Sequence, residues 1–502
     1  MVKRMKMKKY IQSMMAFAAI VSFASCSSED NNSTIENESA TKVMTFTATQ
    51  EGDEQSTRAA ISTSDSKVIN WESDDKISIF DGTKNNQFTL KNGAGTKSAT
   101  FQGVAASAET YTAVYPYQSE ATLSGTSVKN VTLKATQNAT ANSFDKEAAL
   151  MIAEGDNTTL TFKNVVGYVK VTPKFACSKI VLQAAGESEY LAGMCTLSYG
   201  DGMPSITFTS EQSTSITLSG PITANTVYYI AVPAVTLSAG WSISFTDNTG
   251  NVYTRTGSKE IEFKRNTIIN LGEFSRTDNN LKLTLTQNGN VPADKQVDMG
   301  VFNIGGTNYR LIFAKSNLTK DGLAASESDY GDYFAWGATK PWYTSYKGTT
   351  INGWKNDYST YGYVKYNTPY YNSKNDSYAK YTDGNTLDMN DDAANVILGG
   401  DWQIPTKAIW DVLVNIYTKG WDEVRKGYTF TNNGQTLFLP AAGYVDLTSF
   451  KYVGSYVRYW SGTAESSINA YRLSFNGSTL NVGNSARSNG YPVRPVRLVA
   501  VD

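Results

Sequence analysis

The chain has 502 residues, a formal net charge of −1 and no histidine. Near-neutrality gives no electrostatic case for a nucleic-acid partner. The missing imidazole removes Ser-His-Asp and Cys-His catalysis, histidine-ligated zinc and the usual proton shuttle at neutral pH. Carboxylate-only chemistry survives, such as a glycosidase acid/base pair. No local pattern marks one, so no enzyme is expected. Abundant Tyr and Trp beside frequent Gly, Asn, Ser and Thr suit an exported, mainly β protein.

Residues 1–13 carry Lys3, Arg4, Lys6, Lys8 and Lys9 and no acid, and residues 14–24 (MMAFAAIVSFA) form an apolar run of eleven. A spanning helix needs about 20 apolar residues, so residues 1–25 are predicted to be a secretory signal peptide. Phe23-Ala24-Ser25-Cys26 resembles a bacterial lipobox. The resemblance implies that Cys26 carries the fatty-acyl (palmitate) anchor and becomes the first residue. Ser27-Ser28-Glu29-Asp30-Asn31-Asn32 resembles the export signal of Bacteroidota-type lipoproteins, which implies display on the outside of the cell outer membrane. Residues 26–42 contain almost no apolar side chain and are expected to be an acidic, flexible tether.

From residue 43 to 274 short strands follow one another. Residues 43–48 alternate, as do 76–80 before the turn Asp81-Gly82; Phe88, Leu90, Phe101 and residues 111–115 continue the pattern. Residues 165–171 are apolar but for Lys170, as for a strand covered on both faces, and residues 227–232 (VYYIAV) form another strand, stopped by Pro233. Many short strands imply β-sandwiches. Cys177 and Cys195 lie in this stretch. The chain crosses an oxidising compartment, so they could pair, a closure worth roughly 3 kcal/mol. They could equally be two buried free thiols.

Thr57-Arg58-Ala59, residues 71–80 (WESDDKISIF) and 111–117 (YTAVYPY) look like the first half of a fimbrillin-like domain. Leu191-Ala192-Gly193, residues 228–233 and 263–271 look like its second half. The resemblance implies two sandwich subdomains, about 43–160 and 161–274, and a role as a type V pilus subunit or pilus-associated adhesin. It also implies processing between Arg58 and Ala59, after which the first strand leaves and a neighbouring fimbrial subunit donates a strand in its place. An ordinary surface arginine would look much the same.

Residues 275–298 are polar and expected to be a linker, with one strand near Leu281–Leu285. In residues 299–502, helices are expected at 392–396 and 407–417. The second would be capped by Thr406, with Ile409, Trp410, Leu413, Ile416 and Tyr417 on its apolar face. The remainder is short strands, giving an α+β domain. Seven motifs occur in order: residues 332–337 (DYFAWG), 391–394 (DDAA), 399–406 (GGDWQIPT), 438–444 (FLPAAGY), 459–463 (YWSGT), 469–475 (NAYRLSF) and 493–497 (VRPVR). Together they closely resemble the Fibrobacter succinogenes major paralogous domain. That family is related to the C-type-lectin-like and formylglycine-generating-enzyme fold. This domain has neither the cysteine nor the histidine of that fold's enzyme branch.

Asp388, Asn390 and Asp392 alternate like the start of an EF-hand loop, but Ala393 and Gly399 occupy the positions that need Gly and Glu. The acids favour a helix N-terminus instead. Calcium in another geometry is the one cofactor left open. Residues 330–381 hold sixteen aromatics in 52 positions, against 12% aromatic for the chain. Aromatics spaced by small polar residues make adaptable binding surfaces, and flat rings suit sugar faces. A long loop packing its own rings would show the same composition. Trp336 is expected in the core, and Trp342, Tyr343, Trp354 and Tyr358 as ligand contacts. The expected whole is a cell-surface lipoprotein serving as a fimbrial tip or accessory adhesin for a host protein or glycan. The alternative is a glycan-capturing lipoprotein of a polysaccharide uptake system outside any pilus. The closing residues 492–501 should be paired inside their own domain, so that the chain accepts a strand and does not donate one. Replacing Cys26 with Ala should release the protein from the membrane fraction or block its processing. Continued labelling of that variant with radioactive fatty acid would remove Cys26 as the anchor.

Overall fold

The computed structural model describes residues 41–51, 70–82, 84–278, 280–341, 381–446, 449–466 and 468–501. Alternation organises the first strands. In β1 (Lys42–Gln50), Phe46 and Ala48 are fully buried while their neighbours face outward. The chain continues through β2 (Lys76–Phe80), β3 (Asn85–Asn92), β4 (Ser98–Ala105), β5 (Tyr111–Tyr115), β6 (Thr122–Ser124), β7 (Ser127–Leu133) and β8 (Thr136–Asn138). β9 (Met151–Gly155) and β10 (Thr159–Asn164) follow. Seven of these close into a barrel in the order β1-β10-β9-β5-β2-β3-β4. At its centre Trp71 meets Phe101, Tyr115 and Phe162 edge-to-face at 5.1, 5.3 and 5.5 Å.

A sandwich is expected from the sequence for this first half, but the structure has a closed barrel. The reason is β1, which is paired on both edges. It runs antiparallel to β4 from Lys42↔Ala105 to Thr49↔Ser98 and parallel to β10 from Thr47↔Thr159 to Gln50↔Phe162.

The expected boundary near residue 160 is also displaced, because the two halves exchange strands. β13 (Ala192–Gly200) pairs with β7, and β8 runs parallel to β15 (Ser215–Ile222). Two further strands form a wall between two cores: β11 (Val166–Pro173), which follows β10, and β16 (Tyr228–Pro233). Val166, Tyr168, Tyr229 and Ala231 point into the barrel core. Val169, Val171, Tyr228, Ile230 and Val232 point into the second core. Both faces being covered is why these stretches read as mainly apolar runs.

Cys177 opens β12 (Cys177–Gln183) in the second core, and Cys195 in β13 faces the barrel core. Both are free thiols, so the disulfide left open by the sequence does not form. A sheet separates the cores that hold them.

The linker expected at residues 275–298 is instead packed structure. Leu281 and Leu283 are buried in the second core, and a strand at Lys282–Thr284 extends its six-stranded sheet. The next strand, Gln296–Ile304, starts inside the expected linker. Trp402 donates its indole N–H to the Asn288 carbonyl at 2.9 Å, and the Asn290 amide donates to Leu398. The buried pair Arg310–Asp298, at 2.7 Å, adds hydrogen bonds to the carbonyls of Arg276 and Leu281. Removing one partner of such a pair costs about 3–5 kcal/mol. The second core therefore runs without a break into Ile312, Trp336, Trp402 and Trp460 of the C-terminal part.

Among its described residues that part holds two α-helices, α1 (Ala393–Leu398) and α2 (Lys407–Val414), among short sheets. Thr406 caps α2 as expected, its hydroxyl accepting from the Ile409 amide. The helix stops at Val414, before the expected end. Ile409, Trp410 and Leu413 are buried, but Tyr417 is 99% exposed because the chain turns at Asn415 into the strand Thr418–Asp422. Burial pushes the thiols of Cys177 and Cys195 up to about 12. A soluble thiol reagent at neutral pH should therefore leave both unmodified in the folded chain and modify both after denaturation. Reaction of either in the native state would contradict this packing.

Candidate functional site

The first place to look is the end of β1. The Glu51 carboxylate accepts from the Asn164 amide at 2.7 Å and from Arg265 at 2.5 Å, and Arg265 also donates to the Asn164 carbonyl. The ion pair is mostly buried. Phe46 packs edge-on against Phe88 and Tyr111 at 5.2 and 4.9 Å. β1 is thus held by two ladders, two apolar anchors and one polar latch. Twenty-five residues, 51–75, separate it from β2. Arg58 and Ala59 fall in that interval, outside the described residues, as does Cys26 upstream.

Two other places gather polar groups, and both are satisfied internally. Glu72, Asp74 and Asp75 bring carboxylate oxygens within 4.8 Å of one another, the one such group of three among the described residues. Lys146 occupies it, 2.5 Å from Asp74, 3.4 Å from Glu72 and 3.8 Å from Asp75, and so supplies the neutralising charge. A cavity of about 660 Å³ lies between the second core and the C-terminal part, lined by Asp247, Arg276, Asn288, Asp401 and Arg497 among others. The Asp247 carboxylate is saturated by Thr249, Asn251 and Arg276, and Arg497 by Gln296. These bonds tie a joint together.

The C-terminal motifs turn out to be framework. Five indole N–H groups donate to backbone carbonyls or tie motifs together: Trp336 to Ser461 at 2.7 Å, Trp460 to Phe334 at 2.7 Å, Trp410 to Trp460 at 3.0 Å, with Trp402 as above and Trp241 to Lys259 in the preceding unit. Tyr333 donates to the Ala442 carbonyl. Arg494 is fully buried and donates to Asn317 and to the carbonyls of Ala314 and Lys315. Motif residues that bond one another specify a fold and leave function open.

The segment expected to bind ligand starts and ends at one spot. Trp336, 1% exposed and so in the core as expected, meets Tyr381 edge-on at 5.6 Å. Arg487 stacks over Trp336 at 4.3 Å and donates to the Tyr381 carbonyl. The ligand contacts expected between them, Trp342, Tyr343, Trp354 and Tyr358, lie outside the described residues. Next to this base, Tyr381 donates to Asp391 at 2.7 Å. Asp392 caps α1, its carboxylate accepting from the amides of Ala394, Asn395 and Ile404. That fits the helix-capping reading of the acids. A group no single motif marked is a set of rings and arginines on and beside the sheet Val457–Ala464, Asn469–Phe475, Leu480–Ala486: Tyr444 and Arg472, which belong to two different motifs, with Tyr452, Tyr456 and Arg458. They are scattered over 29 positions with no fixed spacing, so no sequence signal could have collected them.

No family model matches the chain, and no curated protein matches it. Among solved structures it is similar to a candidate cell adhesion protein from Bacteroides uniformis, at 18% identity and TM-score 0.30, over 43% of this chain and 91% of that one. It is also similar to a fimbrial protein from Bacteroides ovatus, at 12% identity and TM-score 0.22, over 90% of this chain and 98% of that one. A third is the tip fimbrial protein Mfa3 from Porphyromonas gingivalis, at 10% identity and TM-score 0.21, over 46% of this chain and 94% of that one.

Burial raises the Asp392 carboxyl from 3.8 to about 6, against the three amides that favour its charge. A raised folded pKa means that the protonated form stabilises the fold below about 3.8, and that this contribution is lost as pH rises through about 6. Melting temperature should therefore carry an Asp392-dependent fall across that window. Replacing Asp392 with Ala should flatten it and cost about 2–3 kcal/mol by orphaning buried amides. A variant as stable as the parent chain in urea would contradict the cap.

Proposed function

We propose that this chain is a cell-surface adhesin of the fimbrial type, first held at the outer membrane by lipid on Cys26 and then parted from that anchor and opened by cleavage after Arg58. One observation carries the reading: β1 closes the barrel by pairing on both edges, yet joins the remainder through the long interval that contains Arg58. A cut there leaves β1 held by noncovalent contacts alone. Its departure would expose the facing edges of β4 and β10 and the slots of Phe46 and Ala48. Those are the backbone donors, acceptors and apolar pockets that an incoming strand from a fimbrial subunit satisfies.

The strand Val496–Val501 is paired with Thr307–Ala314 at six positions, from Phe313↔Val496 to Asn308↔Val501. Pairing inside its own part makes this strand no free donor. The C-terminal part meets a host protein or glycan through Trp342, Tyr343, Trp354 and Tyr358, and works by binding and not by turnover. Residues 299–502 contain neither His nor Cys, which supports that reading.

The full chain should be treated with an arginine-specific protease and the products sequenced. A new N-terminus at Ala59 is expected, followed by uptake of a labelled peptide spanning residues 42–51. Replacing Glu51 with Gln should speed the exchange by loosening the latch to Arg265. Resistance at Arg58 in the folded chain, or refusal of the peptide once β1 has left, would overturn the reading.

A further inference from the structure

One face of the sheet Val457–Ala464, Asn469–Phe475, Leu480–Ala486 carries two half-buried arginines with no acid to meet them. Register places Arg472 opposite Trp460, two residues from Arg458 on the same strand face. Arg472 donates through Nε to Ser485 at 3.1 Å, and Arg458 through Nη1 to the Tyr491 hydroxyl at 3.4 Å. Those two hydroxyls bond each other at 2.6 Å. Arg472 Nη1 and Arg458 Nε are buried N–H groups without a hydrogen-bond partner. Among the described residues, no carboxylate lies within 4.0 Å of either guanidinium. Opposite Arg472 stands Gly483, where an added Cβ would lie 3.8 Å from Nη1 and Nη2, so that this neighbour itself brings no side chain against the group. Burial weakens the hold of Arg472 on its proton, and the Arg458 charge weakens it further, with Tyr491 acting the other way. Like charges side by side, with unmet buried donors, are costly unless an anion completes them.

Aromatic rings border the pair. Tyr452 and Tyr456 stack at 4.2 Å and 8°, and Tyr444 continues the row 6.1 Å from Tyr452. The Arg458 guanidinium lies 4.3 Å from the Tyr444 ring and 5.4 Å from that of Tyr456. Tyr452 is 52% exposed and holds φ at +56°, a left-handed conformation that non-glycine residues rarely adopt. Backbone held in that region tends to serve a site. Here it turns one flat ring to solvent beside the two cations.

We propose that this face binds an acidic sugar residue, its carboxylate or sulfate on Arg472 and Arg458 and its ring against Tyr452 and Tyr456. Guanidinium forks suit both planar carboxylates and sulfates, and tyrosine faces suit the apolar side of a sugar ring. The proposal rests on the C-terminal part being the ligand-binding part, but its residues are distinct from Trp342, Tyr343, Trp354 and Tyr358.

The test is binding of the full chain to immobilised sialyllactose, sulfated lactose and lactose. One acidic sugar should bind at least about tenfold more tightly than lactose, and salt should weaken it. Preference between the two tells carboxylate from sulfate, and either supports the site. Replacing Arg472 with Gln should remove the preference. Replacing Tyr452 with Ala removes the half-exposed ring and its stack on Tyr456, and should reduce affinity for the acidic sugar while the chain still melts cooperatively. Equal binding of all three sugars, or acidic preference that survives both substitutions, overturns the site. Acidic preference lost on replacing Trp354 with Ala but kept on replacing Arg472 with Gln also overturns it, while leaving the adhesin reading intact.

Discussion

The pairing of β1 on both of its edges is the constraint on which the first half depends. An antiparallel partner on one side and a parallel partner on the other turn an open sheet into a barrel. Closure removes exposed strand edges, which would otherwise invite pairing with other chains. It also seals the core around Trp71, since Phe46 and Ala48 form part of its wall. The strand that completes the barrel is nonetheless the one with the fewest covalent ties to it. Under the proposed cleavage, a sealed barrel and a fillable groove would be two states of the same sheet, separated by one strand and its Glu51 latch.

The wall formed by β11 and β16 carries order from this barrel into the rest of the molecule. Its alternate residues serve different cores, so a change of shape in one is felt in the other. Beyond it the second core continues to Trp336, Trp402 and Trp460. Their indole N–H groups end on backbone carbonyls, which fixes ring orientation as well as burial. The result is a rigid support for the surface beside Tyr381 and for the tyrosine-arginine face.

The buried charges sort by whether they have partners. Arg310 has Asp298, Arg494 has Asn317 and two carbonyls, and Asp392 has three amides. These hold the frame. Arg458 and Arg472 have hydroxyls and aromatic faces only, while an unmet N–H is common to all four arginines. That difference in partners separates the framework charges from the arginine pair on which the proposed anion site rests.

Much of this was legible in the residues alone. Alternation at residues 43–48 and 76–80 located β1 and β2, and the mainly apolar runs at 165–171 and 227–232 marked strands covered on both faces. Thr406 and Asp392 announced helix starts through local capping chemistry, and zero histidine removed whole classes of catalysis. These are short-range properties, set by side-chain period and by a residue's own hydrogen-bonding groups. The tertiary structure decided what depends on distant partners. It closed the barrel through β10, moved the subdomain boundary by exchanging β7, β8, β13 and β15, and kept Cys177 and Cys195 in separate cores. It also packed the expected linker into the second core and gathered Tyr444, Tyr452, Tyr456, Arg458 and Arg472 on one face. Pairing register and core membership join residues tens to hundreds of positions apart, and no local pattern encodes which of the available edges a strand will meet.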